Sequence, residues 1–200
     1  MTSTAVLHDD VETWLAREVA VGSFLAARGL GVPPSDALPP GPYQHEGLWM
    51  TFWTFVEHDA SPALPSAAEL GRSMHELHAA LADFSGELGP LSEIRDWLDE
   101  LLAELRPSPT LSAAERDSLR SRLHEMTPTV FESALPAQAI HGDVAGIISD
   151  VRAYGASEAY VADLLAAYGR VDLEELDEFV EAHRLYTTVW HEFAASPSAT

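Results

Sequence analysis

Two hundred residues at 21.7 kDa, 46% hydrophobic and 22% charged, suffice for one hydrophobic core or two small ones. Eleven basic residues, all of them arginine, face 32 acidic ones for a formal charge of -21, and the chain contains no Lys, no Asn and no Cys. A surface this negative repels phosphate backbones and anionic lipid head groups, so nucleic acid and membrane are not expected partners. Without cysteine there is no disulfide framework, no thiolate metal site and no thiol nucleophile. Acidity tolerates a cationic ligand, although excess Asp and Glu is more often a solubility feature.

The first ten residues lack the basic and apolar regions of a signal peptide, and the uncharged stretch from Gly47 to Val56 is too short to span a bilayer. A cytoplasmic protein is the expectation.

Asp9 with Glu12 forms an acidic capping pair, and Trp14, Leu15, Val19, Phe24 and Leu25 recur at helical spacing until Gly29 and Gly31 stop them. The spacing predicts a helix over roughly 10–28. Five prolines between Gly31 and Pro42 read as an extended connector. It leads into Leu48–Val56, whose aromatic and β-branched residues predict a largely buried strand.

Ser66 with Glu69 is a capping box for a helix carrying Leu70, Met74, Leu77, Leu81 and Phe84. A second helix follows through Ile94, Trp97, Leu98, Leu101, Leu102 and Leu105 to Pro107. Ser112 with Glu115 opens a third, through Leu119, Leu123, Met126 and Val130. The segment 136–143 turns abruptly from apolar to polar and predicts a small strand or tight loop that delivers side chains to a site. Ser157 to Tyr168, closed by Gly169, and Asp172 to Phe193 predict two final helices, with a frayed end from Ala194.

Nine histidines invite a metal reading. His75 and His78 stand three apart rather than the four that the zinc-protease helix requires, and His78 falls among Met74, Leu77 and Leu81. A packed core histidine is expected there and at His183. His8, His45, His58, His124 and His191 have no partners at useful spacing. No G-x-S-x-G elbow exists, and a phosphate loop ending in Gly-Lys cannot exist without Lys. What remains is His141-Gly142-Asp143 behind a short apolar run, a suitable arrangement for Asp143 as general base with His141 holding the loop, or simply a capping turn.

That tripeptide resembles the catalytic loop of the aminoglycoside phosphotransferase family, the kinase-like small-molecule phosphotransferases that include choline kinase relatives. Arg17-Glu18-Val19-Ala20 is similar to the N-lobe helix of that fold, Leu48 to Glu57 to its last N-lobe strand and hinge, and Leu70 to Ala79 to the long helix that follows. The likeness covers roughly residues 14–193. It implies a mainly α fold with a little β, the helical C-terminal lobe of a protein-kinase-like fold with a remnant of the N-lobe. One domain would span 1–200, with the N-lobe helix, connector and hinge strand in 10–56 and the helical lobe in 57–200. It implies ATP and Mg²⁺ as cofactors and phosphate transfer to a hydroxyl of a small molecule, a cationic one included. Asp143 would be the base, His141 its support, Asp150 a metal ligand, and Glu18 with Phe52, Trp53, Thr54, Phe55 and Val56 the nucleotide side.

The chain departs from the family at three functional groups. No Lys can pair with Glu18, Ile148 stands where an Asn should hold metal five residues after Asp143, and Asp150 follows too soon for the usual two-stranded hairpin. Glu18 then reads more readily as a solvated or capping carboxylate. Two functions therefore stand side by side: a shortened phosphotransferase of weak or no activity, and a non-catalytic, pseudokinase-like interaction or binding protein. An acidic mimic of nucleic acid is disfavoured, because the carboxylates scatter through every helix. A shortened N-lobe predicts uncovered apolar surface at Trp49, Phe52, Trp53 and Phe55, and with it a partner or a homodimer.

Overall fold

A computed structural model describes residues 10–57, 63–89, 91–103, 111–132, 140–169 and 173–195. Among them the chain is mainly helical, with seven α-helices and a single two-stranded sheet. It divides into two compact units, residues 1–89 with 162–169, and residues 90–161 with 170–200.

In the first unit, α1 (Val11–Ala26) is capped by Asp10, whose carboxylate accepts from the Thr13 amide at 3.3 Å. Val11, Leu15, Val19 and Leu25 make its buried stripe. The helix closes where the Leu30 and Gly29 amides donate back to Leu25 and Ala26, with Gly29 at φ 72°. The proline segment then leads into β1 (Tyr43–His45), which pairs antiparallel with β2 (Leu48–Met50). Glu46 and Gly47 join them, both at positive φ, a two-residue turn whose twist suits paired strands.

The capping box Ser66/Glu69 opens α2 (Ala67–Leu81), with the Glu69 amide donating to Ser66 Oγ at 3.3 Å and the Ser66 amide to Glu69 Oε2 at 3.2 Å. The face it buries is Ala67, Gly71, Met74 and His78, one step around from the predicted face, whose Leu70, Leu77 and Leu81 are half-buried. Small Gly71 explains the rotation. A Cβ there would collide with the Leu164 carbonyl, so the backbones of α2 and the later helix α6 (Glu158–Tyr168) meet where a larger residue could not fit.

The second unit holds α3 (Leu91–Ala103), α4 (Ala113–Met126), α5 (Ile140–Ala153) and α7 (Leu173–Ala195). Its core includes Leu98, Leu123, Met126, Ile148 and Leu176, each at most 2% exposed. Trp97, Tyr186 and Trp190 lie with ring centroids 5.7 to 6.4 Å apart, too close to admit a ligand between them. The box Ser112/Glu115 caps α4, which ends in a π-turn over Thr127–Phe131. Pro128 has no amide to donate to the preceding turn, which accounts for the widened pitch there.

Three expectations are corrected. The stretch 48–56 is not a largely buried strand: its ladder stops at Met50, and Leu48, Phe52, Phe55 and Val56 are 54, 42, 78 and 54% exposed. The strand Tyr43–His45 lies just beyond what was read only as a proline-rich connector. Residues 140–143 are neither strand nor loop but the first turn of α5, because Val144, Ile148 and Val151 keep the helical spacing running through them.

Candidate functional site

In the first unit the extended stretch after β2 lies against α1. Trp53 is the contact: a Cβ at Gly22 would collide with its indole ring, so only glycine at that turn of α1 lets the ring lie down. The indole N–H donates to Thr51 Oγ1 at 3.1 Å and lies near enough to Glu18, one turn before Gly22 on α1, to favour its charged form. Burial holds the Glu18 carboxyl above the usual carboxylate range, and the Trp53 indole opposes that shift. Glu18 thus has an indole beside it where the family resemblance would require an ammonium.

The same stretch is held from its other side by the proline segment. The Ser35 amide donates to the Phe52 carbonyl at 2.9 Å, the Thr54 amide to the Pro33 carbonyl at 3.0 Å, and Pro34 bridges Trp53. Phe52, Phe55 and Val56 stay exposed above this anchorage. Of the eight large apolar side chains most exposed among the described residues, seven fall between 32 and 64, and only Tyr154 lies elsewhere.

Still in the first unit, His78 is buried at 4% exposure and its Nδ1 is 2.9 Å from the Tyr168 hydroxyl. The His75 ring packs 6.1 Å from Tyr168. This is core packing of α2 on α6.

The second unit carries the other site residues. His141 and Asp143 lie in the first turn of α5, and their side chains fall outside the described residues. Asp150 sits on the same helix and faces α7, with Oδ1 3.8 Å from His183 Nε2. Gly146 gives that imidazole room, since a Cβ there would stand 3.0 Å from its Cε1. The pair supplies two ligands, whereas Mg²⁺ seeks about six oxygens. Among the described residues no group of three His, Asp or Glu side chains comes together.

His124, read from sequence as lacking a partner, stands 3.5 Å from Asp99, which accepts two hydrogen bonds from Arg120 at 2.7 and 3.1 Å. Those contacts hold the Asp99 carboxyl below its ordinary range, the Arg120 hydrogen bond foremost. His45 likewise has Glu46 at 3.9 Å. His8 and His58 lie outside the described residues.

Glu18 and residues 52–56 therefore belong to one unit and His141, Asp143 and Asp150 to the other. Sequence reasoning missed the Trp53 seat on Gly22 and the pairing of Asp150 with His183. Both are contacts between elements far apart in the chain, and only the small residues, Gly22 and Gly146, hint at them. Comparison of the chain with protein-family models, curated proteins and solved structures gives no match. Among the described residues no helix is long and apolar enough to cross a membrane.

Proposed function

We propose that this chain is a non-catalytic, helical interaction protein of the cytoplasm, with the extended stretch 48–57 of its first unit as its binding element. One observation carries the reading: among the described residues, seven of the eight exposed large apolar side chains fall within positions 32–64 of the sequence. On this reading the helical lobe proposed for 57–200 is kept as scaffold, and Asp143 has no proton to accept.

The phosphotransferase reading retains two supports, the tripeptide His141-Gly142-Asp143 and the position of Glu18 beside the hinge-like stretch. Against it stand the absent Lys and Asn, each a part whose loss costs such enzymes orders of magnitude in rate. Calorimetric titration of ATP with Mg²⁺ into the wild type and Asp143→Asn separates the two. The interaction reading expects no saturable heat from either protein. Saturable heat that needs Mg²⁺ and is lost in Asp143→Asn would overturn it in favour of nucleotide chemistry.

A further inference from the structure

We infer that the face of the β1–β2 hairpin turned away from α1 docks a basic amphipathic helix of a partner protein. The inference rests on the interaction reading above and names the partner's chemistry.

The pairing register divides the side chains of the hairpin between two faces. Tyr43 lies opposite Met50, Gln44 opposite Trp49 and His45 opposite Leu48, and each opposed pair shares a face. Alternation carries the division on to residue 53, because the backbone bonds of Phe52 and Thr54 to Ser35 and Pro33 keep the chain extended. Two side-chain contacts agree with it. The Tyr43 and Phe52 rings meet edge to face at 5.7 Å, and the Trp53 indole donates to Thr51. Trp49, Thr51 and Trp53 therefore share the side that Trp53 seats on Gly22 of α1, and Tyr43, His45, Leu48, Met50 and Phe52 share the other.

That outer face is apolar and open. Leu48 and Phe52 are 54 and 42% exposed, Tyr43 and Met50 half-buried, and the exposed His45 is its polar member. A sheet with two apolar faces is completed by a layer on each, and α1 supplies one layer. The open face offers side chains, which suits the apolar stripe of a helix. From Leu48 to Phe52 it runs about 13 Å, the length of roughly nine helical residues.

Charge selects the occupant. From Gly29 to Gly71 there are five carboxylates and no Lys or Arg. Two of them flank the face: Glu46, in the turn between its strands, and Asp36, next in the chain to the Ser35 that bonds Phe52, both exposed. Basic residues bordering an apolar stripe gain electrostatic steering from these carboxylates. A second copy of the chain would bring -21 against -21.

The test is fluorescence anisotropy with a labelled peptide of about 18 residues, Leu along one helical face and Arg and Ala elsewhere. Three probes are compared with it: the same composition with the leucines scattered around the helix, a version with Glu for Arg, and a strand-forming peptide alternating Arg and Val. Saturable one-to-one binding is expected, at least ~10-fold weaker for each of the three. Leu48→Thr and, separately, Phe52→Thr, each matched to wild type by circular dichroism and melting, should weaken binding ~5-fold or more, whereas Tyr154→Ser in the second unit should not. Equal binding of the scattered-leucine peptide, equal or tighter binding of the Arg–Val peptide, undiminished binding by both Thr variants, an equal loss in Tyr154→Ser, or no binding at all would overturn the inference. So would a dimer, seen by sedimentation, that dissociates in Leu48→Thr, since the occupant is then a second copy. A chain that binds neither peptide nor Mg²⁺-ATP fails this inference alone, whereas Mg²⁺-ATP binding fails the reading beneath it.

Discussion

The two units put similar apolar residues to opposite use. In the second, Leu98, Leu123, Ile148 and Leu176 sit at 0% exposure among helices, and the polar residues outside pair with one another, as Arg95 does with Glu132 and Arg152 with Glu158. In the first, a run of aromatic and β-branched residues follows a three-residue strand, and Phe55 stands 78% exposed. Hydrophobicity alone does not assign a role. Cover does, because four helices close over one another whereas a two-stranded hairpin leaves a face and an edge. The buried set should be costly to alter and the exposed set nearly free, so stability and binding should separate by residue.

The largest expected effect breaks the helical unit. Leu98→Ala or Ile148→Ala should cost about 2–5 kcal/mol in urea unfolding, through lost burial and the cavity left behind. Leu48→Thr, at a 54% exposed position, should stay within about 0.5 kcal/mol of wild type in the same assay. A Leu48→Thr cost as large as that of Leu98→Ala would erase the distinction.

Next comes the anchorage of the extended stretch. In an ordinary exposed helix, replacing Gly by Ala gains roughly 0.5–1 kcal/mol. At Gly22 the added methyl meets the Trp53 ring, so Gly22→Ala should destabilise instead, and tryptophan emission should shift to the red as the indole leaves its seat. A stabilised Gly22→Ala protein would show that Trp53 is not held there.

Glu18 gives a subtler, pH-dependent effect. Its folded pKa is raised by burial, so the folded state holds the proton more firmly, and the stability this group contributes is present at low pH and lost as pH rises through the folded pKa. Glu18→Gln keeps an acceptor for the Trp53 indole and removes the buried charge. Its Tm should exceed that of wild type at neutral pH, and the gap should close on acidification through the carboxylate range. A gap that widens on acidification would reverse the assignment.

The smallest effect belongs to Asp99. Its folded pKa is depressed by the Arg120 hydrogen bond, so its contribution is present above the ordinary carboxylate range and fades as pH falls through the folded pKa. Asp99→Asn should lower Tm slightly at neutral pH, and high salt should shrink the difference, as for a surface ion pair.

The local rules were legible in the sequence. Ser66/Glu69 and Ser112/Glu115 announce their helices because a capping box is made by residues three apart. Gly169 marks the end of α6 for the same local reason. The failures are all questions of cover. Leu48–Val56 has the composition of a buried strand, yet nothing in those residues reports whether a second layer exists. Tyr43–His45 is too short to show alternation. At 140–143 the abrupt change from apolar to polar has the profile of a short strand or tight loop, whereas the helix is set by the spacing of Val144, Ile148 and Val151 beyond it.

Of the candidate site, the apolar stretch was legible as a likeness to a hinge and as uncovered surface once a lobe is short. Its anchorage to Glu18 and Gly22 was not, since that contact joins residues some thirty positions apart.

The most direct measurement is amide hydrogen exchange on the full chain. The account predicts that the helical amides around Leu98, Leu123, Ile148 and Leu176 exchange slowest and those of the hairpin strands Tyr43–His45 and Leu48–Met50 far faster. Equal protection of the two sets would contradict it.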